Sequence, residues 1–171
     1  MGRRARQAGA RPGVALRLTL VAVGRSKPGP LRALFDDYAG RLAAGPWGPL
    51  RLVEVEERRP LTGAARQARE AALLTAALPK GALRFALDER GRALDSAAFA
   101  ELLQRSAEQG TAELAFLVGG ADGFAPALRA EADRLISLGP MTWPHMLVRA
   151  LLAEQLFRAQ SILTGHPYHR A

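Results

Sequence analysis

Residues 113–123 read ELAFLVGGADG. From Leu114 to Val118 every position is apolar, so neither face of an extended segment is offered to water. That is the pattern of a strand covered on both sides, which belongs in a parallel sheet rather than a half-solvated antiparallel one. The glycines that follow end it. As the most apolar strand of the chain, it is expected at the centre of the sheet.

Outward from this segment the same alternation recurs. Residues 14–23 (VALRLTLVAV) make a strand closed by Gly24, and residues 28–44 a helix with Leu31, Leu34, Phe35, Tyr38 and Leu42 at helical spacing. Residues 50–56 form a second strand, 62–77 an alanine-rich helix, and 82–87 (ALRFAL) a third strand closed by Asp88 and Gly91. Asp95 or Ser96 caps a helix that runs to Gln109 and stops at Gly110. A short helix near 126–132 follows ELAFLV, then a short strand at 135–138 and a long helix between Pro144 and Gly165. Strands alternating with helices through short connections imply a single-domain α/β fold, a parallel sheet with helices on both faces. Ligands in such sheets sit outside the carboxyl ends of the strands. That rule singles out the loops at 87–89, 119–123 and 138–143.

The 171 residues, 49% hydrophobic and 23% charged, suit one domain with a real core. No apolar run approaches the roughly 20 residues of a bilayer span, so no membrane is expected. Cysteine is absent, which excludes disulfides and thiolate metal sites and is compatible with the cytoplasm. The net charge of +8 points to a polyanionic partner, nucleic acid first, although an arginine-rich solvated surface gives the same number. Residues 1–13, rich in Arg and without acids, read as a basic, disordered extension before a domain spanning 14–171. Arg17 interrupts the apolar run that a secretory signal would need.

The loop Gly119-Gly120-Ala121-Asp122-Gly123 lacks the spacing of a dinucleotide fingerprint, and taken alone is better explained by a turn ending a strand. Residues 138–143 (LGPMTW) can wrap a flat apolar ring with backbone hydrogen bonds, or serve as a packed connection. His145, His166 and His169 are too few and too badly spaced for a metal site; Pro167 breaks any helical pair between the last two. No Gly-x-Ser-x-Gly elbow supports a hydrolase. The terminal HPYHR buries little, which makes function the better reading of its side chains.

Projected at about 100° per residue, the long helix places Leu147, Val148, Leu151, Leu152, Leu156, Ala159, Ile162 and Leu163 on one half, toward the sheet. Ala150, Ala153, Phe157 and Ser161 cluster opposite, small residues around one aromatic, as for a closely packed second helix. Glu154 with Arg158, and Arg149 with Gln160, form the solvent-facing strips. Two apolar sides in one domain point to a homodimer interface.

The segments LRLTLVAVG, FALDERG, LAFLVGGADG, TWPHMLVRALLAEQLFRA and GHPYHR together resemble the bacterial 23S rRNA pseudouridine-N3 methyltransferase H family, of the SPOUT or α/β-knot class. The resemblance runs from about residue 14 to the end; its carboxyl motifs are the specific part. It implies a carboxyl segment threaded into a trefoil knot, a homodimer, the ribosome as partner, no metal, and S-adenosylmethionine as cofactor. By position, the cofactor would touch Leu87, Gly119, Leu138, Gly139, Pro140, Met141, Thr142 and Trp143. The family more often has a small residue where Gly139 and Pro140 stand, and Leu or Phe at Trp143, so the adenine contacts are expected to differ in detail.

Methylation at N3 requires that nitrogen to lose a proton, and the nucleophile to align with the methyl. His169 has the intrinsic pKa range of a proton acceptor, Arg170 can stabilise the anion, and Tyr168 can stack on an extruded base. Glu154 is a rival base whose alternative role is an ion pair with Arg158. The resemblance implies that the tail of one subunit completes the site of the other. Two other readings stand beside this one: a related enzyme acting on another RNA position, and a catalytically silent ribosome-binding module.

Overall fold

A computed structural model describes residues 16–169. The expectations for residues 1–15 and for Arg170 lie outside the described residues. In chain order the elements are β1 (Arg17–Val23), α1 (Pro30–Ala43), β2 (Leu50–Val55), α2 (Gly63–Ala77), β3 (Leu83–Ala93), α3 (Ser96–Glu108), β4 (Glu113–Val118), α4 (Pro126–Glu131), β5 (Arg134–Ser137) and α5 (His145–Thr164). The strands pair in parallel in the order β2-β1-β4-β3-β5, which puts β4 in the middle as its apolar run requires.

Strand residues alternate between two cores. Leu18, Leu20 and Ala22 of β1, Phe85 of β3 and Leu114, Phe116 and Val118 of β4 pack with Phe35, Phe99, Leu103, Leu152 and Leu156 of α1, α3 and α5. Val21, Val23, Ala86 and Leu117 face the other way, onto Leu74 of α2, Leu128 of α4 and Phe124. Each fully buried Leu or Phe contributes about 1.5–3 kcal/mol relative to an exposed one, so the two-sided strands carry much of the stability. Asp95 caps α3 as expected, its Oδ1 accepting from the Ala98 amide at 2.7 Å. Gly165, at φ 70°, ends α5 in the left-handed conformation that glycine adopts at least cost.

Three expectations need correction. The third strand does not stop at Leu87: β3 runs to Ala93. Both Leu87 and Arg92 align with Ile136 of β5, so residues 88–91 bulge out of the ladder. An Asp and a Gly read as a turn, but the strand resumes because Arg92 and Ala93 find partners on β5.

The second correction concerns α5. Ala150, Ala153, Phe157 and Ser161 are buried within this single chain. α5 lies between α1 and α3, and the ring of Tyr38 on α1 stands 6.5 Å from that of Phe157. The close-packed second helix is therefore α1, and the two-sided apolarity gives no argument for a dimer.

The third concerns Arg149 and Gln160, which are buried rather than solvent-facing. The Gln160 Nε2 donates to the Leu42 carbonyl at 3.3 Å, and its Oε1 accepts from the Trp47 amide at 3.3 Å. A helical projection treats such residues as surface because it cannot see the backbone groups waiting for them.

Candidate active site

The carboxyl ends of β3, β4 and β5 open into a cavity of about 360 Å³. It is lined by residues 87–90 from the bulge of β3, by 118–124 after β4, and by the loop between β5 and α5. All three loops singled out by the strand-end rule meet there. Leu87, Gly119, Leu138, Gly139, Met141, Thr142 and Trp143 line the cavity, whereas Pro140 does not.

Local chemistry explains how these loops are held. Ser137 is buried, and its hydroxyl accepts from the Gly139 amide at 3.1 Å and donates to the Gly139 carbonyl at 3.0 Å. That turn starts the loop after β5, with Gly139 at φ 106°. A side chain at Gly119 would lie 3.3 Å from the Phe124 ring, so the absence of one lets the loop fold close over Phe124. The Asp122 carbonyl accepts from Gln67 Nε2 on α2 at 2.5 Å. Asp88, from the bulge, lies 3.7 Å from Arg129, whose other contact is the Phe124 carbonyl at 2.8 Å.

Gln67, Arg129 and His145 line the cavity although no sequence signal pointed to them. Each comes from a helix, where spacing alone shows a polar residue and not what it faces. Burial pulls the His145 imidazole below its usual pKa, and the nearby Arg149 charge adds to this. His145 is thus favoured neutral at the cavity wall.

Arg149 is the anchor of that wall. Its guanidinium donates to the Val23 and Gly24 carbonyls at 2.6 and 2.8 Å, to Ser26 Oγ at 2.9 Å and to Glu54 Oε1 at 2.7 Å. Burial lowers its pKa, and Glu54 opposes the shift. Burial alone would raise the Glu54 pKa, but the Ser26 hydroxyl and amide and the Arg149 charge hold it below the usual range. The pair ties the start of α5 to β2, and the Val23 and Gly24 carbonyls tie it to the end of β1.

Beneath the glycine loop sits Glu70, 3% exposed, with Oε1 on Arg66 at 3.1 Å and Oε2 without a partner among the described residues. Burial pushes its pKa above the usual 4.5; Arg66 offsets this in part, and the Asp122 and Glu57 charges add to it. A carboxyl raised in the folded state gives its full stabilisation below the unfolded value and loses it as pH rises through the folded one. The ionised form is a cost at neutral pH. Glu70→Gln is therefore expected to raise Tm at pH 7–8, by about 2–4 °C for each kcal/mol relieved, with the two melting curves converging below about pH 4. A thermal-denaturation series across pH checks this.

The expected catalytic residues gather elsewhere. Tyr168 packs on Phe157 at 4.6 Å between ring centroids, under the Arg158 guanidinium at 4.9 Å. Its hydroxyl lies 3.2 Å from that of Tyr38 and donates to Glu154 Oε1 at 3.0 Å. Burial and these two hydrogen bonds push the phenol well above its usual pKa, so it stays protonated. Glu154 also pairs with Arg158, as its spacing implied. His169 is half-buried, with Nδ1 lacking a partner among the described residues. None of the three lines the cavity of its own chain. From His145 to Glu154, α5 advances about 14 Å at 1.5 Å per residue.

Residues 16–169 match a family model described as "Predicted SPOUT methyltransferase". The chain belongs to the SPOUT methyltransferase family. It is similar to proteins named ribosomal RNA large subunit methyltransferase H: 56% identical over 156 residues to that of Rhodospirillum centenum, covering 91% of this chain and 100% of the relative. The corresponding protein of Rhodospirillum rubrum is 58% identical over 157 residues, again covering 91% and 100%. Among solved structures, a "probable methyltransferase" from Bordetella pertussis superposes with a TM-score of 0.51 at 20% identity, covering 87% of this chain and 98% of that one. A methylase family protein from Neisseria gonorrhoeae gives 0.50 at 13% identity, covering 96% and 100%. These two likenesses concern the fold alone. Among the described residues no helix is long and apolar enough to cross a membrane, and no group of three or more His, Asp or Glu is placed to hold a metal.

Proposed function

We propose that this SPOUT protein transfers a methyl group from S-adenosylmethionine to N3 of a pseudouridine in 23S rRNA of the large ribosomal subunit, in the cytoplasm, as a homodimer. The observation that carries the reading is the convergence of three strand-end loops on one glycine-walled cavity, in a chain whose relatives are named for large-subunit rRNA methylation.

The cavity's residues fit the cofactor. Leu87, Val118, Ile136, Leu138 and Val148 give apolar walls for an adenine, and Gly119, Gly120 and Gly139 let a ligand approach backbone groups. Asp88, Glu89 and Asp122 suit a sulfonium and an ammonium, and Arg90 and Arg129 a carboxylate. When bound, S-adenosylmethionine supplies an electrophilic methyl. The chain's own residues have the remaining tasks: to hold the base in line, exclude water and accept the N3 proton as the N–C bond forms.

For the proton, His169 is the better acceptor, since Glu154 is engaged by Arg158 and Tyr168. Tyr168, held protonated, orients Glu154; its ring, packed on Phe157 and lying under Arg158, is not open to the stacking on an extruded base expected from the sequence. Arg170 stabilises the negative charge that develops on the base carbonyls. The distance of Glu154 and Tyr168 from their own cavity supports a site completed by the tail of a second subunit. The threaded carboxyl segment is part of the same proposal, and the strand order β4-β3-β5 is consistent with it.

Labelled methyl transfer to large ribosomal subunits, followed by nucleoside mass spectrometry, tests the proposal. The expected product is 3-methylpseudouridine. Methyl on ribose or on another base would mean a different RNA position, and no transfer despite ribosome binding would mean a silent module.

A further inference from the structure

A second cavity, of about 350 Å³, lies on the other side of the first turn of α5. His145 lines the first cavity and Met146 the second. The two are separated by one layer of chain: a Cβ at Gly24 would stand 3.4 Å from both His145 Nε2 and Met146 Cε. The floor of the second cavity is apolar, made by Leu31, Phe35 and Met146, with Leu31 40% exposed. Its rim carries Arg25, Lys27 and Arg32.

Those cations are available. Arg25 has only a loose pairing with Glu56, at 3.7 Å, and its side chain is 67% exposed. Lys27 is exposed. Arg32 holds Asp36 in a surface pair of the kind that contributes about 0–1 kcal/mol and exchanges readily for a phosphate. The Glu54 carboxylate is taken up by Ser26 and Arg149, which also line the cavity. An apolar floor under three cations matches a ligand with a flat apolar face and an anionic edge, which is a nucleotide.

We propose that this cavity binds an unpaired nucleotide of the substrate RNA beside the one being methylated, its base on Leu31 and Met146 above the buried Phe35 and its phosphate on Arg25, Lys27 and Arg32. The proposal rests on the methyl-transfer reading above and extends it to how the RNA is held. Free phosphate alone would leave the apolar floor unused. The HPYHR tail of a second copy carries basic side chains and no acidic one, so it does not complement the rim.

The test uses Arg25→Glu/Lys27→Glu and Leu31→Ala in the full chain, with large ribosomal subunits as the probe and binding measured across a salt series. The double variant is expected to bind at least about tenfold more weakly near 100 mM salt, with a salt slope shallower by about one for each cation removed. Leu31→Ala is expected to bind several-fold more weakly at every salt concentration, and calorimetry is expected to show unchanged S-adenosylmethionine affinity for both. Unchanged subunit binding and slope would overturn the proposal. So would variants that shift the sedimentation of the protein alone, because the cavity would then be an interface between copies. Methyl transfer is scored in parallel: variants that bind subunits more weakly as expected, beside a wild type that transfers nothing, support the cavity as an RNA site while overturning the methyl-transfer reading.

Discussion

Removing residues 166–171 is expected to lower methyl transfer by at least about a thousandfold, the size of a lost acid–base group combined with lost orientation. The affinity for S-adenosylmethionine should change by less than about threefold, since the cavity is lined by residues 67–148 and, among the described residues, by none from the tail. The truncation also has a structural cost. Tyr168 lies 4.6 Å from Phe157 and 6.5 Å from Tyr38, and each such aromatic pair contributes about 0.5–1.5 kcal/mol beyond its buried area. A Tm several degrees lower is therefore expected, with the transition still cooperative. Two point variants separate packing from chemistry. Tyr168→Phe keeps the ring but loses the hydroxyl contacts with Tyr38 and Glu154; His169→Ala removes the proposed proton acceptor and leaves those contacts in place. If the truncated chain loses cofactor affinity and transfer together, the tail is a structural brace and the catalytic assignment fails.

Gly91→Ala is expected to be the most damaging single methyl in the sheet. A Cβ at that position would stand 2.5 Å from the Ile136 nitrogen and 2.6 Å from the Leu135 carbonyl carbon. Both are backbone atoms, so no side chain can swing aside, and β3 and β5 must part. A loss of about 3 kcal/mol or more is expected, lowering Tm by about 6–12 °C at 2–4 °C per kcal/mol. Cofactor affinity should fall with it, because the strands being separated carry residues 87–90 and lead into the loop at 138–143. The matched control is Gly40→Ala, within α1, where a Cβ meets nothing within 4 Å. That change is expected to be neutral or to stabilise by up to about 1 kcal/mol through helix propensity. Thermal melts and calorimetry of the two variants make the comparison. Equal stability would show that β3 and β5 are not held as described.

The strand pattern was legible because parallel strands buried on both faces have a composition of their own. Leu114–Val118 at the centre, the Asp95 cap and the Gly165 stop each follow from local chemistry. The three cavity loops were legible for a related reason: in this topology the site's place follows from strand direction. The continuation of β3 past Asp88 was not, because it depends on a partner strand more than forty residues away. Arg149 and Gln160 were misread for the same reason, since their partners are backbone groups at the end of β1 and at the end of α1 and the turn after it. The family assignment came from the carboxyl motifs, but the placement of Glu154 and Tyr168 away from their own cavity needed the fold.

The position of α5 between α1 and α3 also bears on how the chain acquires its structure. Phe35, Leu42, Phe99 and Leu103 share a core with Leu152, Leu156 and Ala159, which are synthesised after them. During translation α1 and α3 leave an open apolar trough over the sheet until the final long helix drops into it. Contacts this distant in sequence make for slow folding and an aggregation-prone interval. Lesions in α5 should therefore show first as poor recovery of the protein from cells, before any defect in activity can be measured.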